Sequence, residues 1–160
     1  MEIKKITSGG LPEAMELVWD VFQEFEGPDY SEEGINEFKW TIDRQVESMT
    51  FEMYGAFEND TLLGIIATRN EGCHIALFFV DKVHHGLGIG RKLFEHILPL
   101  CQNSSITVNS SPYAADIYRK LGFNDTDTEQ LTNGIRYVPM QYTKPALNKI
   151  SDVSGCAGNV

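Results

Sequence analysis

Gly86, Gly88 and Gly90 fall within five positions of "HHGLGIGRKLF", residues 84–94, and an apolar, basic run follows at once. Inside a helix each glycine costs about 1 kcal/mol relative to Ala, so helix propensity does not explain them. The first N–H groups of a helix lack intrahelical partners and its macrodipole is positive at that end, which favours an anion there. An apolar strand, a glycine loop and a helix, in that order, therefore read as a cradle for a phosphate. Two nucleotide motifs fail on register. After Gly86 and Gly88 a G-x-G-x-x-G fingerprint needs glycine where Arg91 stands, and Asn109 lies near where its acidic ribose ligand is sought. No G-x-x-x-x-G-K-[S/T] loop occurs in the chain.

A third pattern fits. His85, Gly88 and Gly90 resemble the acetyl-CoA loop Q/R-x-x-G-x-G/A of the GNAT acetyltransferase family, with His85 where that family usually has Gln or Arg. "VNSSPYAADIYRKLGF", residues 108–123, resembles the family's second signature, a strand ending in Asn and a helix that carries a Tyr and ends in "LGF". The resemblance covers the chain from residue 2 to about 143. It implies an α+β (mixed α/β) acyl-CoA N-acyltransferase fold, a central, mostly antiparallel twisted sheet flanked by helices. It also implies acetyl-CoA as co-substrate and direct attack by an amine in a ternary complex. The other reading of the same fold is a catalytically silent acyl-CoA-binding or sensor module.

By that resemblance, main-chain groups from His85, Gly86, Leu87, Gly88, Ile89, Gly90 and Arg91 hold the pyrophosphate. Main-chain groups around Phe78, Phe79 and Val80, on a strand splayed from its neighbour, hold the pantetheine and polarise the thioester. Tyr118 matches the tyrosine that protonates the departing sulfur. An ordinary phenol, with a pKa near ~10, is protonated at neutral pH as such an acid must be. Asn109 contacts the pantetheine arm or serves only in a turn. The general base stays open among His74, Glu24, Glu26 and Glu33, each of which has an ordinary structural reading beside the catalytic one. His84 and His85 are sequence neighbours with no further ligand pattern, so no metal is expected.

These residues need elements to position them. Residues 11–26 place Leu11, Met15, Val18, Val21, Phe22 and Phe25 on one helical stripe, and Ile35, Phe38, Ile42, Val46 and Met49 continue the period after the "GPDY" break. Three β-rich runs, "FEMYGAFEN", "TLLGIIATRN" and "CHIALFFV", predict an antiparallel meander, and "MEIKKIT" a first strand. A helix is expected from about Gly88 to Leu98, then the strand "SITVN". Another helix is expected in "SSPYAADIYRKLGF", with a serine N-cap, Pro112 near its first position and Gly122 as its stop. "NDTDTEQLT" and "IRYVPMQYT" predict two strands about an Asn-Gly turn, the second weakened by Pro139.

At 160 residues the chain reads as one domain over 1–143, with a tail over 144–160 that is expected to be mobile. The formal net charge of −10 and the lack of a long Lys/Arg block exclude a nucleic-acid partner. Its longest apolar run, "IALFFV", is too short for a bilayer, and the start has no apolar signal core, so a cytoplasmic protein without a membrane partner is expected, as monomer or homodimer. Cys73, Cys101 and Cys156 are odd in number without C-x-x-C spacing, so free thiols are expected. Between Gly10 and Phe38 there is no Lys or Arg, whereas Glu13, Glu16, Asp20, Glu24, Glu26, Asp29, Glu32, Glu33 and Glu37 all fall there. Most solvate helical faces. Those at the corner, Glu26, Asp29 and Glu33 with Tyr30 among them, and His74 on the cofactor strand, are the candidates to meet a small, cationic amine acceptor.

Overall fold

The computed structural model describes residues 1–146. Its elements run β1 (Glu2–Lys5), α1 (Leu11–Phe25), α2 (Glu32–Glu47), β2 (Glu52–Glu58), β3 (Thr61–Arg69), β4 (His74–Val80), α3 (Ile89–Ile97), β5 (Ser105–Ser110), α4 (Ala115–Leu121), β6 (Asn124–Asp125), β7 (Gln130–Thr132) and β8 (Ile135–Thr143). The sheet order is β1-β2-β3-β4-β5-β8-β6, with β7 also on β8. Every pairing is antiparallel except β4 with β5. The expected fold class and the meander are therefore present. Among the described residues no helix is long and apolar enough to cross a membrane.

The sheet carries a core on each face. On one, α1 and α2 bury Val18, Phe22 and Ile42 against Ile65, Leu77 and Phe79, with Phe22 and Phe38 stacked at 3.9 Å between ring centroids. On the other, α3 and α4 bury Leu93, Phe94, Ile97 and Tyr118 against Ile66, Ile75 and Val108. The alternation of a strand sends neighbouring side chains to opposite faces, so Phe78 joins the α3/α4 core while Phe79 joins the α1/α2 core.

Local signals set most boundaries. Ser31 caps α2 by accepting from the Gly34 N–H (3.2 Å), and Glu32 and Glu33 occupy the positive first turn. Asn133 and Gly134 take φ of 52° and 78°, the left-handed pair that a two-residue hairpin turn requires. This turn lies directly on the start of α2, where a side chain at Gly34 would collide with the Gly134 carbonyl. Gly122, at φ 108°, ends α4: its N–H donates to Arg119 O and the Phe123 N–H to Tyr118 O, the paired bonds of a Schellman stop.

The structure departs from expectation in four places. Helix α4 starts at Ala115 rather than beside Pro112, because Ser111 captures the Ala114 N–H with its hydroxyl and its carbonyl, both at 3.2 Å, and closes a separate turn first. "NDTDTEQLT" is two short strands, β6 and β7, which pair with different stretches of β8 on either side of an Asp127 turn. Pro139 does not interrupt β8, which runs through it. Cys73 and Cys101 are joined in a disulfide, not free thiols. The bond ties the turn before β4 to the 3-10 turn after α3, two loops that meet where β4 and β5 begin together. Parity and local spacing cannot report such a pair, 28 residues apart in sequence. Cys156 and the tail from 147 onward lie outside the described residues; before it, the Lys144 N–H donates to Ser104 O (2.8 Å).

Candidate active site

Strands β4 and β5 pair only at His74 with Thr107 and Ile75 with Val108, then part. An extra residue, Ala76, bulges β4 where Ala67 faces Leu77 and Thr68 faces Ile75. Beyond the bulge the Asp81 N–H donates to Leu63 O (2.8 Å), so its main chain faces β3. Alternation then turns Phe79 towards β3 and Phe78 and Val80 towards the gap. The Val80 carbonyl confirms the direction, since it accepts from His85 Nε2 (2.7 Å) instead of a strand partner. The site reading of Phe79 is thereby corrected: Phe78 and Val80 present main-chain groups to the gap, and those of Phe79 belong to the β3 ladder.

The glycine loop closes one end of the gap. Gly86 and Gly88 have φ of 80° and 83°, the left-handed conformation that L-residues rarely adopt, and a Cβ at either would meet nothing within 4 Å. Gly90 differs, with ordinary φ and a would-be Cβ at 3.4 Å from the Phe78 ring. The loop thus leaves an open approach to the free N–H groups that start α3, which fits a pyrophosphate. Leu87 is exposed and Ile89 is buried in the core, so what they offer an anion is main chain. The Arg91 guanidinium is occupied, donating to Lys120 O (3.2 Å) at the end of α4.

Across the gap, α4 brings in Tyr118. Its ring packs edge-on to Phe78 (5.8 Å) and Phe123 (5.2 Å), and among the described residues its hydroxyl makes no hydrogen bond. Burial, then the nearby Glu26 carboxylate, holds the phenol well above the usual tyrosine range. Asn109 is exposed on β5 opposite Pro139, at the level where β4 has parted.

The end of α1 covers this assembly. Phe25 lies 5.1 Å from His85 and 5.3 Å from Tyr113, which sets the next residue, Glu26, against the turn that leaves β5. Glu26 is half-buried, and burial pushes its carboxyl up to about 7, the Ser111 hydroxyl working against the rise and Asp29 adding repulsion. Tyr30 is raised by burial and by Glu26 and Asp29. Arg136 of β8 donates to the Asp29 carbonyl (3.3 Å), lies 3.9 Å from its carboxylate, and is held by Glu129 (2.9 Å).

Glu26, Asp29, Tyr30 and Tyr118 are therefore brought together, and two other candidates are not. His74 sits at the paired end of β4, six residues from Val80, buried and bonded through Nδ1 to Thr107 Oγ1 (2.8 Å). Burial, with Arg69 adding repulsion, pulls it down to about 4, so it is a neutral packing residue and not an acceptor contact. Glu33 points into solvent in the first turn of α2. With Glu32, Asn36, Glu37 and Trp40 it lines a shallow depression of about 520 Å³ that shares no residue with the gap. Ser111 and Arg136 were not singled out as site residues. A serine beside a helix reads as a cap, and Arg136 meets Asp29 across 107 positions, so no local signal marks either.

A family model described as an acetyltransferase (GNAT) domain matches residues 26–144. Among solved structures, the chain is similar to a GCN5-related N-acetyltransferase from Rhodopseudomonas palustris, with a TM-score of 0.73 and 16% identity over 89% of this chain and 94% of that one. It is similar to apo YjaB from Escherichia coli, at 0.71 and 19% over 90% and 98%. A PaiA N-acetyltransferase from Thermoplasma acidophilum, solved with coenzyme A, matches at 0.68 and 19% over 89% and 98%. No curated protein matches the sequence.

Proposed function

The chain belongs to the GNAT acetyltransferase family, and we propose that it moves an acetyl group from acetyl-CoA to the primary amine of a small, cationic acceptor by direct attack in a ternary complex. One observation carries the reading. The parting of β4 from β5 opens beside the glycine loop, and α4 brings in Tyr118, whose hydroxyl makes no hydrogen bond among the described residues and whose pKa burial holds above the usual tyrosine range. Main-chain N–H groups of residues 86–91 hold the pyrophosphate in this reading, and those of Phe78 and Val80 hold the pantetheine and polarise the acetyl carbonyl. Tyr118 gives its proton to the departing sulfur.

Charge supports the acceptor class. Of the corner carboxylates, Glu24 is paired with Lys82 (2.9 Å) and Asp29 with Arg136, while Glu32 and Glu33 make no ion pair among the described residues. An uncompensated negative rim concentrates cations, and its reach is about 8 Å at physiological ionic strength. The test is release of CoA thiol from acetyl-CoA with a polyamine, an aminoglycoside, a basic peptide, and neutral and acidic amino acids, each at low and high salt. Cationic amines are expected to turn over best, and Glu32→Gln with Glu33→Gln to lower their kcat/KM most at low salt. A preference for acidic or neutral amines, or no effect of the double change, would return both glutamates to helix solvation. Binding of acetyl-CoA without turnover of any amine would favour the silent binding module.

A further inference from the structure

We propose that the His85 side chain is a positioning residue of the CoA site: by donating its Nε2–H to the Val80 carbonyl it holds the gap-facing main chain at the end of β4 in one arrangement before the cofactor arrives. The inference rests on the N-acetyltransferase reading, which places pantetheine along that main chain.

In an extended strand the N–H and C=O of one residue point to the same side, so whatever fixes the Val80 carbonyl also aims the Val80 N–H. Strand β3 does not fix it. The β3 ladder takes the Asp81 N–H (2.8 Å to Leu63 O) and leaves the Val80 groups on the open side, where β5 has parted from β4. Val80 is also the last residue of the strand, and the chain turns away at once through Lys82–His84. A strand end with one free edge is able to twist about its last peptide. The 2.7 Å bond from His85, five positions on, ties that end to the loop instead. A carbonyl only accepts, so Nε2 carries the hydrogen.

The imidazole is itself held in place. The His84 N–H donates to Asp81 O (2.9 Å) and the His85 N–H to Lys82 O (3.3 Å), which closes the turn between the strand and the ring. Lys82 in that turn binds Glu24 of α1 (2.9 Å), and the next residue, Phe25, lies 5.1 Å from the His85 ring. The end of α1 thus anchors the turn by a charge pair and the imidazole by a ring contact, and the imidazole in turn sets Val80. Gly86, the first left-handed position of the glycine loop, follows His85 directly, so the same bond also sets where the loop begins. Groups aimed before binding lose less freedom when the ligand arrives, which raises affinity. His85 is exposed, so its replacement leaves both cores as they are.

The test is calorimetric titration of CoA into the wild type, His85→Phe and His85→Gln, with the Asp81 amide followed by ¹⁵N–¹H NMR in each free chain. The Asp81 N–H shares a peptide group with the Val80 carbonyl, so it reports the bond to that carbonyl with no ligand present. His85→Phe keeps a ring against Phe25 and loses the donor. His85→Gln loses the ring and any charge on it and keeps an N–H donor. His85→Phe should shift the Asp81 amide and weaken CoA binding ~10-fold, the scale of one lost hydrogen bond. His85→Gln should return both towards the wild type. The proposal is overturned if His85→Phe binds CoA as the wild type does, or if His85→Gln stands nearer in affinity to His85→Phe than to the wild type. It is also overturned if affinity falls while the Asp81 amide stays in place, because the ring would then meet the ligand directly. A wild type that binds no CoA overturns the N-acetyltransferase reading itself, and this proposal with it.

Discussion

Tyr118 has a packing role and a proposed role as the acid, and one substitution separates them. Its ring packs between Phe78 and Phe123, and among the described residues its hydroxyl makes no hydrogen bond. Tyr118→Phe keeps the ring and should leave CoA affinity unchanged while turnover falls ~10²-fold or more. Steady-state kinetics beside a CoA titration checks this, and unchanged turnover would make Tyr118 a packing residue only. The residue was legible because its helix carries a sequence signature. Glu26 was legible only as one acidic residue among nine, since what distinguishes it is the burial that raises its carboxyl, which the fold creates. His74 misled for the same reason in reverse: a histidine on the cofactor strand looks reactive until its burial and its bond to Thr107 are seen.

At the scale of elements, the glycine loop divides into positions that need glycine and one that does not. Gly86 and Gly88 require it for positive φ and for open approach, whereas an added Cβ at Gly90 makes ordinary contact with Phe78. Gly88→Val should therefore lower CoA affinity at least tenfold, by straining the loop and narrowing the approach, and Gly90→Ala should leave it largely unchanged. Calorimetric titration of CoA into both decides the matter; equal losses would mean that the loop is not read by its backbone. Helical periodicity made α1, α2 and α3 legible, and Gly122 made the end of α4 so. The start of α4 was not, because Ser111 and Pro112 serve a turn and a helix start equally well on paper. Nor did the sequence mark the bulge at Ala76, which arises from strand pairing and aims the main chain of Phe78 and Val80.

The whole molecule is one sheet with a core on each face, and the candidate site lies where that sheet opens. Half of the site comes from the β4-loop-α3 unit and half from the α1 end and α4, so no short stretch of sequence contains it. The disulfide between Cys73 and Cys101 encloses the first half, β4, loop and α3 together, from loops that only the fold brings together. The central claim is that this opening holds CoA. Its most direct measurement is the thermal unfolding of the unmodified chain with and without CoA and acetyl-CoA. A ligand that binds only the folded state at one hundred times its Kd adds about 2.7 kcal/mol, which for a chain of this size raises Tm by roughly 5–10 °C. Both ligands are expected to produce that shift. No shift with either, up to millimolar concentration, would contradict the account.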